Sequence, residues 1–116
     1  MGTFVKAGNT SEYSDGIKKK VIINGQEIMV AKVGANYYAI ANRCPHLNGD
    51  LSMGTLEGTV ITCPRHASQF DLKEGKVIRW TNWTGPLKAI AGVFKSERPV
   101  KTYKVKIENG EISVEI

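Results

Sequence analysis

Only two cysteines and two histidines occur in the 116 residues, and this scarcity limits the chemistry of the chain more than anything it has in plenty. No apolar run approaches the roughly 18 residues that a membrane-crossing helix requires, so no membrane span is expected. The N-terminal run Met1-Gly2-Thr3-Phe4-Val5-Lys6 lacks the basic-then-apolar layout of a secretion signal and holds no twin-arginine pair, which predicts a cytoplasmic protein. Apolar stripes at helical spacing are missing, apart from a turn or two between Leu87 and Phe94, so little helix is expected. There is no internal repeat, and neither an arginine-rich helix nor an aromatic-basic RNA motif argues for nucleic acid as a partner. A chain of this length forms one hydrophobic core more readily than two, so residues 1–116 are predicted to be a single domain, and a monomer.

What is present is period-two alternation punctuated by turn pairs, the pattern of an antiparallel, all-β protein. Tyr103, Val105 and Ile107 alternate with Lys104, Lys106 and Glu108. Asn109-Gly110 then turns the chain into Ile112, Val114 and Ile116, which alternate with Glu111, Ser113 and Glu115, predicting a hairpin with one buried face. A second pair, Asn24-Gly25, joins Lys20-Val21-Ile22-Ile23 to Glu27-Ile28-Met29-Val30, and Gly34-Ala35-Asn36 leads into Tyr37-Tyr38-Ala39-Ile40, a three-stranded meander. From Asn42 the pattern gives way to Pro, Gly, Asn and Asp until Gly58-Thr59-Val60-Ile61-Thr62 restores strand character. Gln69 to Leu72 and Lys76 to Trp80 flank Lys73-Glu74-Gly75 as a further hairpin. The net charge of +5 is uneven: residues 73–106 carry nine Lys/Arg against Glu74 and Glu97, or +7, and the rest carries seven against nine, or −2. Such a flank either solvates strand faces or steers an acidic protein partner.

The scarce residues are clustered. Cys44-Pro45-His46 and Cys63-Pro64-Arg65-His66 place each cysteine within three residues of a histidine. A Cys44–Cys63 disulfide is the simplest alternative, disfavoured by a reducing cytoplasm and by the flanking histidines. Thiolate and imidazole suit zinc, and suit iron in a cluster equally, so ligand softness leaves both open. Ligand order favours the cluster. A zinc finger takes two cysteines from one knuckle and two histidines from one helix, whereas here each loop offers one of each, as needed when one iron takes two cysteines and the other two histidines.

These boxes resemble those of the Rieske family. Cys44-Pro45-His46-Leu47-Asn48-Gly49-Asp50-Leu51 is similar to its C-x-H loop, and Cys63-Pro64-Arg65-His66-Ala67-Ser68-Gln69-Phe70-Asp71 to its C-P-x-H-x-S-x-Y/F-D loop. The resemblance implies an antiparallel β-sandwich or partial barrel, with a cluster-binding subdomain whose two loops, about residues 43–51 and 63–71, lie at one tip. It implies one Rieske-type 2Fe-2S cluster, with Cys44 and Cys63 on one iron and His46 and His66 on the other, and Ser68 donating a hydrogen bond toward it. Respiratory members carry an extra cysteine in each box, forming a disulfide; those places hold Gly49 and Arg65 here, which shifts the resemblance to Rieske ferredoxins. Phe70 stands where high-potential members have tyrosine, implying a potential in the lower or middle part of a range of roughly −150 to +300 mV. Gly85-Pro86 and Arg98-Pro99 compete for the place of the family's proline loop, with an insertion over about residues 81–97.

With both histidines committed, none remains for a mononuclear iron site or for a hydrolase base, so no catalysis by this chain is expected. The function implied is one-electron transfer between a reductase and a terminal acceptor such as an oxygenase, with acidic redox proteins as partners. A non-catalytic redox-sensing or structural subunit is the alternative.

Overall fold

The computed structural model of the chain describes residues 3–43, 49–64, 68–79 and 99–116. Eleven strands are described: β1 (Phe4–Asn9), β2 (Lys18–Ile23), β3 (Gln26–Val33), β4 (Asn36–Ala41), β5 (Thr55–Glu57), β6 (Val60–Thr62), β7 (Gln69–Asp71), β8 (Val77–Arg79), β9 (Thr102–Tyr103), β10 (Val105–Glu108) and β11 (Glu111–Glu115). Short 3-10 turns occupy Thr10–Glu12 and Leu51–Met53. The strands form three antiparallel sheets, ordered β1-β11-β10, β2-β3-β4-β9 and β5-β6-β7-β8.

The middle sheet separates two cores. In β3 the successive residues Ile28, Met29, Val30 and Ala31 are all fully buried, because both faces of the strand are covered. Ile28 and Val30 pack with Ala39, Ile112 and Val114 beneath the terminal sheet. Met29 and Ala31 turn the other way, onto Leu51, Ile61, Cys63, Phe70 and Leu72. Each such aliphatic side chain contributes about 1.5–3 kcal/mol on burial, so an uninterrupted apolar run is what a central strand requires.

Both Asn-Gly pairs make the expected turns. Asn24 and Gly25 have φ of 51° and 79°, Asn109 and Gly110 of 51° and 75°, and positive φ at both central positions gives a turn whose twist matches the flanking strands. The C-terminal alternation, read as one strand over 103–108, is divided. Tyr103 pairs with Ala39 of the middle sheet, whereas Val105 pairs with Val114 of the terminal sheet, so the chain changes sheets at Lys104. Ile107 is 44% exposed rather than buried, since β10 is an edge strand. Strands β1 and β5 carry no clear alternation and escaped the sequence reading. The helical turns expected between Leu87 and Phe94, Trp80, and the competing Gly85-Pro86 lie outside the described residues.

Candidate metal centre

Of the four candidate ligands, Cys63 is described; Cys44, His46 and His66 lie outside the described residues. Cys63 follows directly on β6 and is 2% exposed, packed in the core with Leu51, Ile61, Phe70 and Leu72. Its backbone N–H donates to the Ser68 carbonyl at 2.7 Å, carrying the β6–β7 ladder one step past Thr62 and Gln69. The described stem of this hairpin therefore ends at Cys63 and Ser68. Ser68 is fully buried, and Phe70 beside it is a fully buried member of the same core.

The first candidate loop has a stem of the same kind. Arg43 and Asp50 form an isolated antiparallel bridge, and the Leu51 N–H donates to the Asn42 carbonyl at 2.8 Å. Asn42 in turn continues the β3–β4 ladder, its N–H donating to the Glu27 carbonyl at 3.0 Å. One loop thus rises from the middle sheet and the other from the β5–β8 sheet, and Leu51 and Cys63 at their feet share one core.

Gly54 brings the two stems together. A Cβ at this position would collide with the carbonyl oxygen of Thr62, the residue before Cys63, so only glycine lets the backbone leaving the first loop run against the strand entering the second. Polar groups gather below the first loop. Asp50 accepts from Ser52 and Asn42 and pairs with Lys20 at 3.4 Å. Burial pushes its carboxyl upward, but the bonds from Ser52, Asn42 and Lys20 outweigh that and hold it at about 2. Glu27 is likewise lowered, by hydrogen bonds from Arg43 and Asn42. This polar group was missed in the sequence, where Asn42 and Asp50 read as loop formers. The spacing of Asp50 and Ser52 as a turn cap was the available signal.

The setting fits an iron–sulfur cluster on its own terms: a cysteine thiol buried among apolar side chains, at the foot of one of two loops that each carry a thiol and an imidazole. The chain matches the sequence pattern of the Rieske [2Fe-2S] domain over residues 3–104, and it belongs to that family, whose cofactor is one 2Fe-2S cluster. It is 31% identical over 113 residues to the ferredoxin component of the naphthalene 1,2-dioxygenase system of Pseudomonas putida, covering 97% of this chain and 95% of the relative. Among solved structures it resembles the ferredoxin of carbazole 1,9a-dioxygenase from Nocardioides aromaticivorans IC177, with a TM-score of 0.79, 27% identity, and coverage of 97% of this chain and 96% of the other. It also resembles a chain in the complex of reduced oxygenase and oxidized ferredoxin of a carbazole 1,9a-dioxygenase, with a TM-score of 0.76, 27% identity, and coverage of 95% and 99%.

A cleft of about 690 Å³ has a lining that includes Tyr37, Tyr103, Lys73, Lys101, Lys104 and Glu115. Lys73 sits in the β7–β8 turn, the opposite end of β7 from Ser68. No ion pair engages Lys73, Lys101 or Lys104 among the described residues, whereas Lys76 pairs with Glu74 and Lys106 with Glu108. No helix among the described residues is long and apolar enough to cross a membrane.

Proposed function

We propose that the chain is a single-domain, monomeric, cytoplasmic electron carrier that takes one electron at a time from a reductase and delivers it to a terminal oxygenase. Cys44, His46, Cys63 and His66 would hold the cluster, and Ser68 would support it from the foot of the second loop. The observation that carries this reading is the burial of Cys63 at the end of a hairpin stem, within the core that also receives the first loop. The cluster, when bound, supplies a one-electron couple. The surrounding residues keep Cys63 out of water through Ile61, Phe70 and Leu72, and the Cys63–Ser68 hydrogen bond joins the two strands of the stem. A dry sulfur environment with a fixed backbone limits reorganisation between oxidation states. The partners are inferred to be acidic on their docking side, because Lys73, Lys101 and Lys104 outnumber Glu115 in the cleft and none of the three is ion-paired among the described residues. Lys73 stands at the end of β7 away from Ser68, a placement that suits steering of the encounter.

Iron and acid-labile sulfide analysis, with electron paramagnetic resonance of the reduced protein, tests the centre. The expected result is one 2Fe-2S cluster per chain, lost in Cys63→Ser and His66→Ala. A colourless zinc protein would overturn the reading. Stopped-flow re-oxidation by a Rieske oxygenase tests the role, and a loaded protein that no oxygenase re-oxidises would leave the centre standing and remove the carrier assignment.

A further inference from the structure

We infer that Asn42 is a positioning residue which, with Asp50 and Ser52, clamps the entry and exit of the first cluster loop and so sets the geometry of Cys44 and His46. The inference rests on the cluster ligands proposed above. With two cysteines in the chain, both assigned as ligands, no covalent cross-link is left to fix this loop. Its stem is held by a polar clamp instead.

The Asn42 side chain is fully buried, and three of its four hydrogen-bonding directions are used across the stem. Its Oδ1 accepts the Ser52 backbone N–H at 2.9 Å. Its Nδ2 donates to Asp50 Oδ1 at 2.8 Å and to Glu27 Oε1 at 3.2 Å. Rotating the amide would set its oxygen against two carboxylates and its nitrogen against an N–H, so the network admits one orientation. The main chain of Asn42 is pinned as well, to the Glu27 carbonyl on the strand side and to the Leu51 N–H on the exit side. Asp50 completes the clamp: its Oδ1 also accepts the Ser52 N–H at 3.1 Å and the Ser52 hydroxyl at 2.6 Å, capping the turn Leu51–Met53.

The consequence is geometric. The loop leaves the sheet at Asn42 and returns at Asp50, and the side chain of the first grips the second directly. In sequence, Cys44 and His46 are two and four residues from Asn42 and six and four from Asp50, so a displacement of either end is passed to the ligands over a short span. Polar groups that orient metal ligands from behind typically change metal affinity by roughly 10- to 100-fold when removed. The Ser52 contribution is split between backbone and hydroxyl, which makes Ser52→Ala the milder lesion.

The test compares wild type, Asn42→Ala, Asp50→Ala, Asp50→Asn and Ser52→Ala, each loaded with its cluster. The readouts are the rate of cluster release to an iron chelator, the g-values of the reduced state, and the far-ultraviolet circular dichroism of the fold. Asn42→Ala and Asp50→Ala should release the cluster at least about 10-fold faster and shift the g-values, with strand content retained. Asp50→Asn, which keeps the acceptor oxygen, should stay within about 2-fold of wild type, and Ser52→Ala should fall between. Wild-type release rates and g-values in Asn42→Ala and Asp50→Ala would overturn the inference, as would an Asp50→Asn variant as leaky as Asp50→Ala, which would assign the effect to charge. If the alanine variants do not fold, Ser52→Ala decides: wild-type release and g-values in it overturn the clamp. A wild-type chain lacking cluster signals after reconstitution would instead overturn the ligand assignment on which the clamp rests.

Discussion

Ser68 and Asp50 have opposite histories in the sequence. Ser68 stands out through its place in the second box, and its full burial next to Cys63 keeps water from competing for its hydroxyl. A hydrogen bond offered to cluster or cysteine sulfur stabilises the more negative, reduced form. Ser68→Ala should therefore lower the reduction potential by roughly 40–90 mV, corresponding to about 1–2 kcal/mol at about 59 mV per tenfold change for one electron; protein-film voltammetry reads the shift. Asp50 shows nothing in its spacing to a cysteine or histidine, and its importance lies in Ser52, Asn42 and Lys20, brought around it by folding. Its folded carboxyl sits at about 2 against an ordinary 3.8. A depressed acid stabilises the fold above its ordinary value, and that contribution is lost as pH falls through the folded value. The stability difference between wild type and Asp50→Asn, followed by urea midpoint, should be steady from pH 7 to about pH 5 and shrink between about pH 4 and pH 2. Glu27, Lys20 and Arg43, which face the same cluster of groups, remain in both proteins, so the comparison isolates Asp50.

At the scale of elements, the loop stems matter more than the strands. The hairpin turns at Asn24-Gly25 and Asn109-Gly110 were legible because a two-residue turn needs positive φ and few residues supply it. Strand β5 was not, since Thr55–Glu57 is a three-residue edge whose place depends on β6 beside it. Gly54, between the first stem and β5, is the element-level constraint on the centre. Gly54→Ala should cost about 1–3 kcal/mol in stability through forced backbone shifts, measured by denaturant unfolding. The displaced Thr62 should also loosen Cys63, giving faster cluster release than a surface control such as Glu57→Ala, an exposed residue of β5.

On the whole-molecule scale, three sheets enclose two cores, and the middle sheet is common to both. Met29 and Ile28 are neighbours in sequence yet anchor different cores. Charge is also a property of this scale. Lys73 comes from the β7–β8 turn and Lys101 and Lys104 from the segment around β9, and the fold gathers them into one cleft. Replacing all three by Glu should reduce the association rate with an acidic redox partner by roughly 10-fold or more at low ionic strength. The difference should largely vanish near 1 M salt, where the screening length is about 3 Å. Stopped-flow electron transfer across a salt series measures both effects.

The sequence by itself determined the all-β class, the turn positions and the candidate ligand set, because alternation, Asn-Gly pairs and a cysteine or histidine within a short box are local signals. Only the tertiary structure decided that β3 is buried on both faces, that the run from Tyr103 to Glu108 divides between two sheets, and that Ile107 faces outward. Each of those depends on which strand lies alongside, which a residue's own neighbours in sequence do not specify. The polar clamp at the stem of the first loop belongs to the same category: Glu27, Asn42 and Asp50 are ordinary polar residues until strand pairing brings them together and buries Asn42 between the two carboxylates.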